Sequence, residues 1–303
     1  MKLSVEFPSV AYREGPQGII KLAQAIEEIG FDQLDMFDHV VMGYPTDKRP
    51  APMYPPKMPI LEALTTLSFV ASVTTTIGLG TEVLVLPQRQ PVLVAKQFAT
   101  LDTLSNGRVR LGVGVGWQES EYEALGEEFS NRGARMDEAI ELLRAYWQDE
   151  KVNYQGQHYQ SDAIAMEPKS PQAGNLPIWI GGNSKRALRR VGELGDGWMA
   201  VGAIDAENTT LAREKIAEHA IAKGRDPAAI GYQAMLAPPP TEAQGKAFYN
   251  DLDAVAKTVS DLAKLDFGWA AINATAIFQS GAKSLDAMIE RLGMVHDRIR
   301  SVT

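Results

Sequence analysis

The chain has 303 residues, a net charge of −8 and no cysteine. That acidity removes the electrostatic footprint needed to bind a phosphodiester backbone, so no nucleic-acid partner is expected. The missing cysteine excludes disulfides, thiolate nucleophiles, iron–sulfur clusters and cysteine-ligated zinc.

Apolar residues make up 45% and charged residues 22%, as in an ordinary soluble globular protein. The opening MKLSVEFPSV lacks a signal-peptide core, and no stretch reaches the roughly 18 apolar residues of a membrane span. A cytoplasmic protein without a membrane partner is the expectation.

In chain order, Leu3 to Phe7 reads as a first strand. Ile19, Leu22, Ala23 and Ile26 then recur at helical spacing and Gly30 supplies a stop. Gln33 to Phe37 is a second strand. Residues 43 to 59 hold prolines, two tyrosines and Lys48, Arg49 and Lys57, which predicts a long functional loop. A helix over Ile60 to Val73 leads to a third strand over Thr76 to Leu86, and a helix over Val92 to Leu104 leads to a fourth over Val109 to Val115.

Met136, Ala139, Ile140, Leu143 and Trp147 form a helical stripe. Lys151 to Tyr159 alternates around Gln155-Gly156 and predicts a small inserted hairpin. Four further strands follow, over Pro177 to Ile180, Gly197 to Val201, Ile230 to Leu236 and Trp269 to Ala274. Helices over Ser184 to Leu194, 206–223 and 247–264 alternate with them. Leu285, Met288, Ile289, Leu292 and Ile299 mark a closing helix.

Eight strand–helix units predict an α/β fold, a (β/α)8 TIM barrel with insertions, as one domain over residues 1–303. Its functional groups then belong at the C-terminal strand ends.

Four segments there carry chemistry. Asp38-His39, after strand two, suits proton transfer or hydrogen bonding to a heteroaromatic ring, or simply caps the loop. Ile77 to Pro87 contains glycines inside a strand, a sign of close approach by another group. Gly112, Gly114 and Gly116 alternate on one strand face before Trp117, unlike a dinucleotide fingerprint. Pro177 to Arg186 runs a strand through Gly181-Gly182 into a helix that Asn183 or Ser184 can cap, which makes a credible phosphate site. Arg132 and Arg135 either face an anion or solvate a helix start. The scattered histidines 39, 158, 219 and 296 have no metal-ligand spacing, so no metal is expected.

Taken in order, these segments resemble the luciferase-like monooxygenase family, which includes bacterial luciferase and the deazaflavin-dependent dehydrogenases. The resemblance runs from about residue 15 to 201. It covers Gly30-Phe31-Asp32 leading to Asp38-His39, and Ile77-Gly-Leu-Gly-Thr81 leading to Pro87. Pro91-Val92, Ala95-Lys96 and the run Ala99 to Arg108 follow. It continues with Leu111 to Trp117, Arg132 to Glu138, Ile180-Gly-Gly182 and Gly195-Asp-Gly197.

The resemblance implies FMN or coenzyme F420, in reduced form, across the barrel mouth. It implies that Asp38 helps hold the cofactor and that His39 acts as acid or base beside it. It matches Thr81, Glu82 and Val83 to a non-proline cis peptide behind the ring, and Gly181, Gly182, Asn183 and Ser184 to a phosphate cradle. Gly116 borders the cofactor site. Trp117 stands where sugar-phosphate dehydrogenases of this family carry a glutamate, which implies a more apolar substrate pocket.

The expected activity is F420-dependent hydride transfer to or from a small organic substrate. The alternative is an FMNH2-dependent monooxygenase served by a separate reductase, and a further one is a degenerate ligand-binding barrel. A homodimer is implied. A Schiff-base lyase would need a lysine inside a strand core, and none of the eight predicted cores contains one.

Overall fold

The structure is a computed structural model that describes residues 1–202, 205–236 and 247–303. Eight parallel strands close into a barrel. The first four positions are β1 (Lys2–Glu6), β2 (Gln33–Met36), β3 (Gly78–Thr81), continued by the short β4 (Leu84–Val85), and β5 (Val109–Gly114). An antiparallel hairpin of β6 (Val152–Gln155) and β7 (Gln160–Ile164) interrupts the series. The barrel then resumes with β8 (Ile178–Gly181), β9 (Gly197–Ala200), β10 (Gly231–Leu236) and β11 (Trp269–Asn273). Pairing of β3 with β5, through Leu79↔Val109 and Gly80↔Arg110, closes the ring where β1, β2 and β11 have already met.

The helices are α1 (Gly15–Ile29), α2 (Ala63–Ala71), α3 (Pro91–Leu104), α4 (Glu119–Ala124), α5 (Arg132–Gln148) and α6 (Lys185–Leu194). They continue with α7 (Ala206–Ala222), α8 (Leu252–Lys264), α9 (Ala274–Gln279) and α10 (Leu285–Arg300). α1 buries Leu22, Ala23 and Ile26 and ends at Gly30, whose φ of 99° lets the chain reverse into β2. Side-chain caps start most of the others: Glu62 accepts from Thr65, Gln90 from Leu93, Ser184 from Ala187 and Ser284 from Ala287. Among the described residues no helix is long and apolar enough to cross a membrane.

Several boundaries differ from the sequence expectation; the helix expected over 247–264, for example, begins at Leu252. The apolar run Thr76 to Leu86 reads as one strand, but the chain breaks between β3 and β4 at a cis Glu82–Val83 peptide and ends in a 3-10 turn at Leu86–Gln88. The hairpin's second strand extends to Ile164. β1 also starts at Lys2, so one strand does contain a lysine, at the end opposite the mouth and stacked 5.0 Å over Trp269.

The barrel interior is not uniformly apolar. β5 alternates, and its inward face carries Arg110, Gly112 and Gly114. The Arg110 guanidinium lies between Trp179 (4.5 Å) and Trp269 (4.6 Å). It donates to Asp35 (3.0 Å) and Gln233 (2.8 Å), while Gln33 donates to the other oxygen of Asp35. A buried charge persists only when paired in this way. The glycines have steric reasons. A Cβ at Gly112 would lie 1.9 Å from the Thr81 carbonyl oxygen, and one at Gly114 2.6 Å from Val83. The glycine face of β5 therefore makes room for the kinked segment 81–83.

Candidate active site at the barrel mouth

His39 and Asp38 follow β2 at the C-terminal end of the barrel, and both are buried. Their side chains serve different partners. Asp38 accepts two hydrogen bonds from Arg89 (2.8 and 2.9 Å) and one from the Val85 amide (2.9 Å). Burial raises the Asp38 carboxyl, with Arg89 and the Val85 amide opposing it. Arg89 also approaches Glu62, the N-cap of α2. Asp38 thus ties the end of β2 to β4 and the turn after it.

The carboxylate that meets His39 is Glu121 on α4, with Nδ1 to Oε2 at 3.1 Å. Glu121 also accepts from the amides of Val40 (2.5 Å) and Val41 (3.3 Å) and from Gln88 (3.1 Å). Burial alone would raise the Glu121 carboxyl. Hydrogen bonds from His39 and Gln88, the imidazole charge and the Val40 amide outweigh it and hold the carboxyl below its ordinary range. An ionised Glu121 fixes the Nδ1–H tautomer, so Nε2 is the ring atom left to exchange a proton.

Two aromatic rings meet that histidine edge-on. Trp117 lies 5.4 Å and Tyr54 5.5 Å from the imidazole, and 6.2 Å from each other. Tyr54 belongs to the proline-rich segment 43–59. Arg49 in that segment pairs with Glu123 of α4 at 2.8 Å, which anchors the segment over the mouth. Burial, and then the Glu6 charge, raise the Tyr54 hydroxyl. Below it the Glu6 carboxyl, at the end of β1, is pushed up to about 8 by burial and by Asp35. Glu82 is raised well above the carboxylate range by burial, Asp35 and Glu6. Burial thus favours the neutral form of both Glu6 and Glu82.

Thr81 is buried and spends its hydroxyl on β5, donating to the Gly112 carbonyl (2.6 Å) and accepting from the Gly112 amide (3.1 Å). Val83 packs between Gly114 and Gly181, at both of which a Cβ would lie under 3.0 Å from it. Gly116 takes a φ of 67° and turns the chain into Trp117. Across the mouth, Gly182 (φ 114°) joins β8 to α6, and an added Cβ there would meet only Ala187, at 3.4 Å. Ser184 caps α6 through the Ala187 amide, and Asn183 exchanges hydrogen bonds with both backbone groups of Val201 (2.5 and 3.3 Å). The space beside Gly182 and the positive end of a full-length helix fit a phosphate group.

The structure thus brings His39, Val83, Gly116, Trp117 and the Gly181–Ser184 turn to one barrel end. It turns Asp38 and Thr81 to positioning contacts. Arg135 is spent on Glu127, the Glu128 carbonyl and Asn131, and Arg132 on the Phe129 carbonyl and ring. Arg135 is thus taken up by partners within its own loop and helix start. Glu121, Arg89 and Tyr54 are additions from the structure. A groove of about 1120 Å³ lies outside the barrel between α3 and the hairpin and is lined by none of the strand-end groups. The site is assigned by its chemistry instead.

The luciferase-like monooxygenase family model matches residues 3–286, and the chain belongs to that family. The F420-dependent glucose-6-phosphate dehydrogenase of Amycolatopsis mediterranei (strain U-32) is 33% identical over 203 residues, covering 65% of this chain and 57% of that protein. The chain spans less than two thirds of the length of the first curated relatives it matches. Among solved structures, monooxygenase RslO1 from Streptomyces bottropensis superposes with a TM-score of 0.78 at 20% identity, covering 99% of both chains. An F420-dependent secondary alcohol dehydrogenase in complex with an F420-acetone adduct gives 0.76 at 20% identity, covering 97% of this chain and 99% of that one. These likenesses establish the fold.

Proposed function

We propose that the chain is an oxidoreductase that uses coenzyme F420 to oxidise a small uncharged alcohol or reduce the corresponding carbonyl. The observation that carries this reading is His39 at the barrel mouth, oriented by Glu121 through Nδ1 and walled by Trp117 and Tyr54.

The deazaflavin, when bound, supplies a two-electron hydride donor or acceptor. Gly181, Gly182, Asn183 and Ser184 would hold its phosphate, and Val83 and Gly116 would border its ring. His39 Nε2 takes the hydroxyl proton as an alcohol is oxidised and returns it to the carbonyl oxygen in reverse. Glu121 stabilises the imidazolium formed in between, and Trp117 and Tyr54 exclude water from the exchange. Trp117 in place of an acidic side chain favours an uncharged, apolar substrate. The 33% identity to an F420-dependent relative supports the choice of cofactor.

Parallel titration of the purified protein with F420, FMN and anaerobic FMNH2, followed by fluorescence, tests the reading. Selective binding of F420 is expected. Preference for FMNH2 would replace hydride transfer with oxygen activation and a separate reductase. Binding of none of them overturns the assignment.

A further inference from the structure

Beside Trp117, the 43–59 segment and α4 line a second cavity of about 870 Å³. Pro50, Ala51, Pro52 and Met53 form one wall, and Trp117 and Gln118 the other. Met53 is 71% and Trp117 41% exposed, so large apolar surfaces stand open to solvent here. Isolated exposed apolar residues need no explanation, but a set that lines one concave space does.

Polar groups constrain the cavity further. The charged groups of the lining balance: Arg49 pairs with Glu123, and Lys48 and Glu119 carry opposite charges. Gln118 is 4% exposed and donates through Nε2 to the Val41 carbonyl (2.7 Å). Its Oε1 is buried with no hydrogen-bond partner among the described residues. A buried acceptor left unpaired is unfavourable, so a ligand that brings a donor to it is favoured. Trp117 is the shared wall, since its ring also lies 5.4 Å from the His39 ring.

We propose that this cavity is the distal half of the substrate site. It takes the uncharged, largely apolar body of an extended secondary alcohol or ketone, which carries a second hydrogen-bond donor toward Gln118 while its reacting carbon lies at His39. This rests on the alcohol–carbonyl reading above. It adds a length and a polarity pattern to the substrate.

The test is calorimetric binding of 2-propanol, 2-octanol and octane-1,7-diol to the wild type and to Ala51→Trp, whose indole fills the cavity from an exposed position. Met53→Trp serves as a second filling variant, and the melting temperature of each confirms folding. In the wild type, 2-octanol binds at least tenfold tighter than 2-propanol, and the diol binds no more weakly than 2-octanol. Either filling variant reduces the longer ligands to the level of 2-propanol and leaves F420 affinity unchanged. Equal affinity for 2-propanol and 2-octanol, marked loss with the diol, or a length preference that survives filling overturns the proposal. F420 is titrated into the same samples. Failure of the wild type to bind it would remove the cofactor reading, while the alcohol series still decides the cavity.

Discussion

The two sides of the barrel mouth hold their groups by different means. On the β2 side, His39, Asp38, Glu121, Arg89 and Tyr54 come from distant segments and depend on one another through side chains. On the β8 side, Gly181 to Ser184 form one turn, whose useful features are backbone amides and open space. The first side is vulnerable to loss of charge or of a ring atom. The second is vulnerable to added bulk. That contrast is what a set of single substitutions should resolve.

The largest effect is expected from His39→Ala. Loss of positioned proton transfer lowers kcat by about 10²–10⁴-fold. The F420 dissociation constant, read by fluorescence, changes far less. A kcat within threefold of wild type would remove His39 from the chemistry.

Glu121→Gln comes next. It keeps the shape of the side chain but removes the charge that fixes the imidazole, so kcat falls about tenfold or more with KM nearly unchanged. Its folded carboxyl is held low, so its contribution to stability is present above the ordinary carboxylate value of 4.5 and is lost as pH falls through the lowered one. The melting-temperature deficit of the variant is therefore full at pH 7 and shrinks in stronger acid. A deficit that does not vary with pH contradicts an ionised Glu121.

On the opposite side, Gly182→Val forces a β-branched residue to a φ of 114° and fills the space beside α6. F420 affinity drops by about tenfold, or 1.4 kcal/mol, with kcat at saturation retained. If affinity holds while the melting temperature falls, the turn is structural only.

The smallest effect concerns the floor shared by both sides. Glu6 titrates near 8 when folded, against 4.5 unperturbed, so it costs the folded state progressively more as pH rises through that window. Glu6→Gln should melt several degrees above wild type at pH 9 and nearly with it at pH 5. A constant difference across the range contradicts a neutral buried Glu6.

The β8–α6 turn was legible in the sequence because it is local: a strand, two glycines and a capping serine follow one another. The barrel was legible for a similar reason, since alternating strand and helix periodicities repeat along the chain. The His39 partner was not. Glu121 lies between Glu119 and Glu123, which are exposed, and only the closed barrel brings it across 82 positions to the imidazole. Asp38 misled by adjacency, because neighbours after a strand point apart. The break between β3 and β4 was not legible from strand periodicity, although the family resemblance pointed to a cis peptide at Thr81 to Val83. What demands it is the fit of Val83 against Gly114 and Gly181, a contact between separate strands. Arg110 did leave a signal, as a charge on the glycine face of β5.

The short helix α4 has a consequence for how this architecture diversifies. Its Glu121 sets the imidazole, its Glu123 moors the proline-rich segment, and Gln118 just before it floors the distal cavity. The geometry around His39 is thus fastened to the helix, while the cavity's apolar wall is supplied by residues 50–53, which make no side-chain hydrogen bond or ion pair among the described residues. Substitutions in that wall are free to redirect substrate choice without disturbing the proton-transfer apparatus. A library confined to residues 50–53 is the natural starting point for altering specificity by selection.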